Sequence, residues 1–435
     1  MKSFKKSPIK LTASVNAVIA HFHQLPNNDR INNIVKRVQH MNENEVENSL
    51  KNVMQEFAHR HKNFEELLIS NFHRVEEIHG NLSAFSNNKK LLLGSFLTKE
   101  YSFQAAALFN PSIVPHPDQS GFKNGEQRFI MSLRATGEGH ISSIIFKTGI
   151  VDKQGAVRLD ESSRYFSVLK KDDNPQAKNS EMFSDDEIKN FSDVNYDLIS
   201  SSDISITEKV IFPSANFERM GMEDLRLVKF SDEESSCYYG TYTAYDGKNI
   251  RPMLLETNDF NSFGIRSLYG DAINDKGMAL FPEKVNGKFV ICSRQGSELL
   301  SIMFSDDLYR WESYQLLMEP KFDWEFVQIG NCGSPIKTDK GWLLLTHGVG
   351  PMRKYVISAI LLDLNDPSKI IRRLDKPMIV ADEGEREGYV PNVVYSCGSM
   401  RHGNLLIIPY AISDTATVFA SVEINEILNE MNINK

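Results

Sequence analysis

Between residues 31 and 78 apolar positions recur every three or four residues. Ile34, Val35 and Val38 form one set; Val46, Leu50, Val53, Met54 and Phe57 a second; Phe64, Leu67, Leu68 and Phe72 a third. That period is that of a helix with one apolar face. The stretch holds no Gly or Pro to break it, so it predicts three helices. Their charged faces read as solvated. Their apolar faces must pack on the rest of the chain or on a second subunit, so a homo-oligomer contact through these helices is one expectation.

From about residue 98 the period changes. Segments such as QRFIMSLRAT, HISSIIFKTG, DLRLVKF, SCYYGTYTAYDG, GWLLLTHG and GNLLIIPYAISD have strand length, and most end in Gly, Asp or Asn. Almost no helical pattern separates them. Many short strands with turns between them predict an all-β sandwich, barrel or propeller. A faint repeat favours the propeller: ETNDFNSFG, FSDDLYRWE and LDLNDPSKI each close a strand with an acidic turn, and start at 256, 304 and 362. At that period the region would make about five to seven blades. The expected organisation is a helical N-terminal extension over 1–95 and a β region over 96–435.

Composition narrows the partners. The chain has 435 residues, a net charge of −8 and a pI near 5.8, which argues against a nucleic-acid partner. A local cationic pocket remains compatible with that balance. Cys237, Cys292, Cys332 and Cys397 form no CxxC pair, so they read as reduced thiols rather than a zinc or redox site. No apolar run reaches the roughly 18 residues of a membrane span. The first 20 residues are basic and then mildly apolar, but Thr12, Ser14 and Asn16 interrupt the apolar part. A cytoplasmic location without membrane contact is therefore expected. His and acidic residues do not cluster at metal-ligand spacing, and no Gly-rich nucleotide loop occurs, so neither a metal nor an organic cofactor is expected.

Charged and polar clusters sit where strands meet turns. They are FNPSI at 109–113 with Arg134; Glu223-Asp224-Leu225-Arg226; Lys276, Glu283, Lys284 and Arg294; Lys337 and His347; and Glu387, Asn392 and Asp414. Singly each has an ordinary explanation: an exposed ion pair, a turn lysine, a satisfied histidine. Jointly they describe more, because a propeller gathers its loops around one funnel. Carboxylates at 224 and 414 with cations at 276, 294 and 337 would suit a polyhydroxylated, partly anionic ligand.

These clusters, in this order, resemble glycoside hydrolase family 130, the mannoside phosphorylases and mannosidases built on five-bladed β-propellers. GMEDLR resembles that family's Glu-Asp-Pro-Arg motif. LFPEKVNGKFV, PIKTDKGWLLLTHGV, LLDLNDPSKII, EGYVPNVVYSCG and SDTATV also match its pattern, so the likeness covers roughly residues 105–428. It implies a five-bladed β-propeller with an α-helical N-terminal extension. It implies Asp224 as the single catalytic acid, protonating the glycosidic oxygen through a hydroxyl of the mannose ring. Asn110, Ser112, Arg134 and Asp414 would hold the nonreducing mannose, with Glu223 and Arg226 flanking the acid.

The resemblance also implies a phosphate cradle of Lys276, Arg294, Lys337 and His347. Lys276 stands where the family has arginine and keeps charge without the bidentate fork. Gly277 stands in place of a neighbouring Asn, and Leu225 in place of the motif's proline. Inverting phosphorolysis of a manno-oligosaccharide, giving α-mannose 1-phosphate with inorganic phosphate as co-substrate, is the leading expectation. The alternatives are an inverting β-mannosidase and a non-catalytic sugar-binding propeller. A hydrolase would need a second carboxylate to activate water, for which Glu283, Glu298 and Glu387 are candidates.

Overall fold

A computed structural model of the chain describes residues 1–172, 194–200, 203–232 and 236–433. The helical pattern is realised as α1 (Asn28–His40), α2 (Glu43–Phe57) and α3 (Phe64–His79). The Asn27 side chain caps α1, and Asn42 and Glu45 form a capping box on α2. A fourth helix, α4 (Asn87–Phe96), was not expected. It is short, but Leu91, Leu92 and Leu93 are buried, and Gly94 lies where any Cβ would strike the Leu68 carbonyl of α3. Ile31, Val35, Phe72, Val75, Leu93 and Leu97 close one shared core.

The helical extension over 1–95 requires correction. Lys5–Thr12 is a strand, paired antiparallel with Ala416–Glu423 near the other end of the chain. Val18–Phe22 pairs with Thr98–Ser102, with Phe22 facing Thr98. The helices are therefore an insertion between two paired strands. The sequence pattern hid this because Lys5–Thr12 has only Ile9 and Leu11 as large apolar residues and Val18–Phe22 is only five residues long.

The rest is mainly β, and its longer antiparallel strands follow one another along the chain in five groups, the first two being parts of one twelve-stranded sheet joined by a parallel contact of Gly221 with Ser142. The first runs through Ala107–Pro115, Gln127–Thr136, Ser142–Val151 and Val157–Leu159. The second runs through Gly221–Ser231, Ser236–Tyr245, Ile250–Thr257 and Ser262–Ser267. The third comprises Ala279–Leu280, Phe289–Gln295, Leu299–Ser305 and Gln315–Met318. The fourth comprises Gln328–Asn331, Gly341–Val349, Tyr355–Leu362 and Ile370–Arg373. The fifth comprises Val394–Tyr395, Leu405–Ile412 and Ala416–Glu423, completed by Lys5–Thr12. Among the described residues no sheet closes on itself.

Core clusters lie between neighbouring groups. Ile130, Phe146, Leu227 and Met253 join the first and second. Val228, Leu254, Ile291 and Met303 join the second and third. Cys292, Leu300, Trp342 and Ile360 join the third and fourth. Leu345, Leu361, Ile408 and Val422 join the fourth and fifth. Phe129, Met131, Ile407 and Phe419 then join the fifth to the first. Each large apolar side chain buried this way contributes about 1.5–3 kcal/mol. All four cysteines are free thiols; Cys237 is half-buried and the other three are buried. Among the described residues no helix is long and apolar enough to cross a membrane.

Candidate active site

Strands from all five groups point residues at one cavity of about 350 Å³. Two backbone irregularities aim its carboxylate side. Ideal strands send alternate side chains to opposite faces, so Glu223 and Asp224 should diverge. The pairing of Gly221–Ser231 with its neighbour slips between Glu223 and Arg226, and Asp224 takes φ +57°. The same slip occurs between Phe109 and Ser112, where Asn110 takes φ +50°. Each is a bulge holding a non-glycine residue in the left-handed region, a strained arrangement, and Asn110 and Asp224 both reach the cavity from it. Ser413 and Asp414, at φ +47° and +48°, lie in the tight three-residue turn between Leu405–Ile412 and Ala416–Glu423. Ser413 Oγ donates to the Glu385 carbonyl at 2.6 Å, which fixes that turn.

The bulges bring four groups together. Asn110 Nδ2 donates to Asp224 Oδ1 at 2.6 Å, and Arg134 Nη1 donates to the same oxygen at 3.3 Å. Arg134 Nη2 reaches Glu223 Oε1 at 2.8 Å, while its Nε donates to Ser142 Oγ at 2.8 Å. Arg226 donates from Nη1 to the Asp224 carbonyl at 3.1 Å and from Nη2 to Tyr395 Oη at 2.6 Å. It thus clamps the acidic residue's own peptide to the fifth group.

Facing these are Lys276, Arg294, Arg353 and His347. His347 stacks on Tyr355 with centroids 5.8 Å apart. Its Nδ1 lies 3.2 Å from the Asn331 carbonyl, which can only accept, so the proton sits on Nδ1. Gly330 opposite has no room for a Cβ against the His347 ring.

Burial and neighbouring charges shift the cavity's titratable groups in different directions. Burial would raise the Asp224 pKa, but Arg134, Arg226, the Asn110 hydrogen bond and Lys276 outweigh it and hold it below its ordinary value. Asp414 is pushed up to about 6 by burial and the Asp224 charge, against the pull of Arg134 and Arg353. Burial, then Arg294 and Arg226, bring His347 down to about 3, so its ring is neutral. Three buried polar atoms of the cavity residues have no hydrogen-bond partner among the described residues: Asn110 Oδ1, Arg226 Nε and Arg294 Nε. Chemically, the arrangement can accept from hydroxyls on one wall and hold an oxyanion on the other.

Asn110, Arg134, Glu223, Asp224, Arg226, Lys276, Arg294, His347 and Asp414 all line the cavity. Two expected residues do not. Ser112 is fully buried, and its Oγ accepts from Leu227 N at 2.9 Å, joining the first and second groups. Lys337 is half-exposed, pairs with Glu283 and lies 5.5 Å from the Trp342 ring. Sequence reasoning missed Arg353, Tyr395 and Gln328, which do line it. Arg353 follows Met352 in a left-handed pair, at φ +57° and +55°, after Gly350 and Pro351, which was the available signal. Glu283, Glu298 and Glu387 lie outside the lining. So do all residues of the helical insertion.

The scaffold is mainly β and its cavity gathers carboxylates and cations; the comparisons name the family. The profile of glycoside hydrolase family 130, described as beta-1,4-mannooligosaccharide phosphorylase, matches residues 186–433, and the chain belongs to that family. A 1,2-beta-oligomannan phosphorylase of Thermoanaerobacter sp. (strain X514) is 36% identical over 215 residues, covering 48% of this chain and 71% of that protein. A beta-1,2-mannobiose phosphorylase of Listeria innocua serovar 6a is 29% identical over 231 residues, covering 51% of this chain and 63% of that one. A solved structure of beta-1,2-mannobiose phosphorylase from Listeria innocua, in complex with beta-1,2-mannobiose, superposes with a TM-score of 0.52 at 24% identity, over 75% of this chain and 92% of that one. A family 130 structure from work on hydrolases of beta-1,2 mannosidic linkages in Candida mannan gives 0.52 at 18% identity, over 75% and 87%. The last two likenesses concern fold alone.

Proposed function

We propose that the protein cleaves β-mannosidic bonds by inverting phosphorolysis, on a five-bladed propeller whose funnel is this cavity. Five four-stranded groups, each sharing a core with the next and the fifth with the first, support the propeller reading. The Lys5–Thr12 strand completes the fifth blade.

The observation that carries the activity is that one cavity gathers an unsatisfied acceptor, Asn110 Oδ1, and unsatisfied guanidinium N–H groups, Arg226 Nε and Arg294 Nε. A sugar hydroxyl meets the first need and a phosphate oxygen the second. In this reading a phosphate oxygen attacks the anomeric carbon from the face opposite the leaving group. The C1–O glycosidic bond breaks, and the β-mannoside becomes α-mannose 1-phosphate. Asp224 supplies the proton that the leaving oxygen needs, relayed through a ring hydroxyl. Depressed in the free site, its pKa would rise as a phosphate dianion offsets the cationic wall.

Hydrolysis is less favoured because it needs a carboxylate free to activate water. Glu283, Glu298 and Glu387 lie off the cavity, and Glu223 is held by Arg134. Three of the relatives bear β-1,2 names, so β-1,2-linked substrates are the first to try. The test incubates the protein with β-1,2- and β-1,4-manno-oligosaccharides, with and without inorganic phosphate. Phosphate-dependent mannose 1-phosphate is expected. Free mannose at an equal rate without phosphate would refute phosphorolysis. Turnover by Asp224→Asn at the wild-type rate would remove the assigned acid.

A further inference from the structure

A second cavity, of about 400 Å³, opens between the helical insertion and the first sheet group. Its walls come from the 3₁₀ turn after α2, the loop following Lys5–Thr12, the strand Ser142–Val151 and the loop at 162–166. No residue of the first cavity takes part in it. Two of its lining side chains are almost fully buried yet incompletely satisfied. Lys147 is 6% exposed, and the hydrogen bond seen for its ammonium goes to Ser162 Oγ, at 2.8 Å. Gln104 is 5% exposed, and its Oε1 has no partner among the described residues. No Asp or Glu lines the cavity, whereas His59, Arg60 and Arg164 do. The nearby carboxylates are taken: Glu100 by Arg60 and His61, Glu208 by Lys62 and Ser163.

A buried ammonium without a counter-charge calls for an anion, and a buried carbonyl oxygen without a donor calls for a hydroxyl or N–H. Both needs occur in one space large enough for a monosaccharide. We propose that this cavity is a second binding site, for a phosphorylated monosaccharide. Lys147 and Ser162 hold the phosphate, Arg164 closes on it from the exposed rim, and a sugar hydroxyl donates to Gln104. Because the helical turn at 58–60 forms one wall, occupancy would tie the insertion to the sheets.

The test is calorimetric titration of the full chain with mannose 1-phosphate, mannose and inorganic phosphate. The expected result is a mannose 1-phosphate component that Lys147→Met abolishes and Arg164→Ala weakens about tenfold, as the loss of a charged hydrogen bond requires. Arg294→Ala, in the other cavity, leaves that component intact. Arg164 is exposed, so its variant remains informative even where Lys147→Met disturbs folding. Wild-type isotherms from Arg164→Ala would overturn the site. Inorganic phosphate binding there as tightly as mannose 1-phosphate would overturn the role given to Gln104.

Discussion

Replacing Asp414 by Asn removes a charge that the fold holds at a cost. The carboxyl rises from an ordinary 3.8 to about 6, first through burial and then through the Asp224 charge. At about 1.4 kcal/mol per pKa unit, that rise is worth about 3 kcal/mol, and partial solvent access reduces it to about 2. The sign follows from the raised value. Below the unfolded pKa the carboxyl is neutral in both states, and the amide matches it in shape, so the variant and wild type should be equally stable there. Between about pH 4 and about 6, where the unfolded chain has lost this proton and the folded chain still holds it, wild type loses stability that the variant keeps. Urea unfolding at intervals from pH 3 to 8 should show a gap near zero at the acid end, widening through that window to about 2 kcal/mol at pH 8 in favour of the variant. Its kcat/KM should fall sharply, since Asp414 also faces the proposed sugar site. A variant equally stable at every pH, or less stable at pH 8, would refute the reasoning.

Further outcomes follow from single contacts. The His347 ring, lowered to about 3, should stay neutral in nitrogen NMR spectra of the free protein from pH 8 to 5; a midpoint above 6 would contradict its burial beside Arg294. Lys337→Ala should leave the phosphate KM within about twofold, as removal of an exposed ion pair does, whereas Arg353→Ala should raise it about tenfold or more. Equal effects of the two would sink the corrected cradle. Arg373 donates to both oxygens of Glu325, which is fully buried, so Arg373→Ala should cost about 3–5 kcal/mol in denaturant unfolding. Less than about 1 kcal/mol would mean that Glu325 is satisfied without it.

Much of the scaffold was legible because period is a local property. α1 to α3 appear where Val35, Leu50 and Phe72 recur at helical spacing. The site was legible where charge broke an apolar strand, as at Glu223-Asp224. It was illegible where a bulge reset the alternation with no charge to mark the change. Asn110 and Ser112 are two apart and should share a face, yet the slip between them sends one to the cavity and the other to Leu227. Lys337 misled because a short strand beside a glycine turn gives no hint of its face, and its partner Glu283 lies 54 positions away. Tyr395 could not be assigned because its role is a contact with Arg226, 169 positions earlier.

The pairing of Phe22 with Thr98 makes the helical segment a cassette. Its two ends leave the scaffold side by side, so a short hairpin turn could bridge them and leave every sheet group whole. Trimming from the front cannot achieve this, because the first strand to go, Lys5–Thr12, is an outer rung of the fifth group and its loss bares the edge of Ala416–Glu423. The segment could thus change length without breaking any sheet group, like a device plugged into a two-pin socket, while Lys5–Thr12 is held by the same strand pairing as the rest of the fifth group.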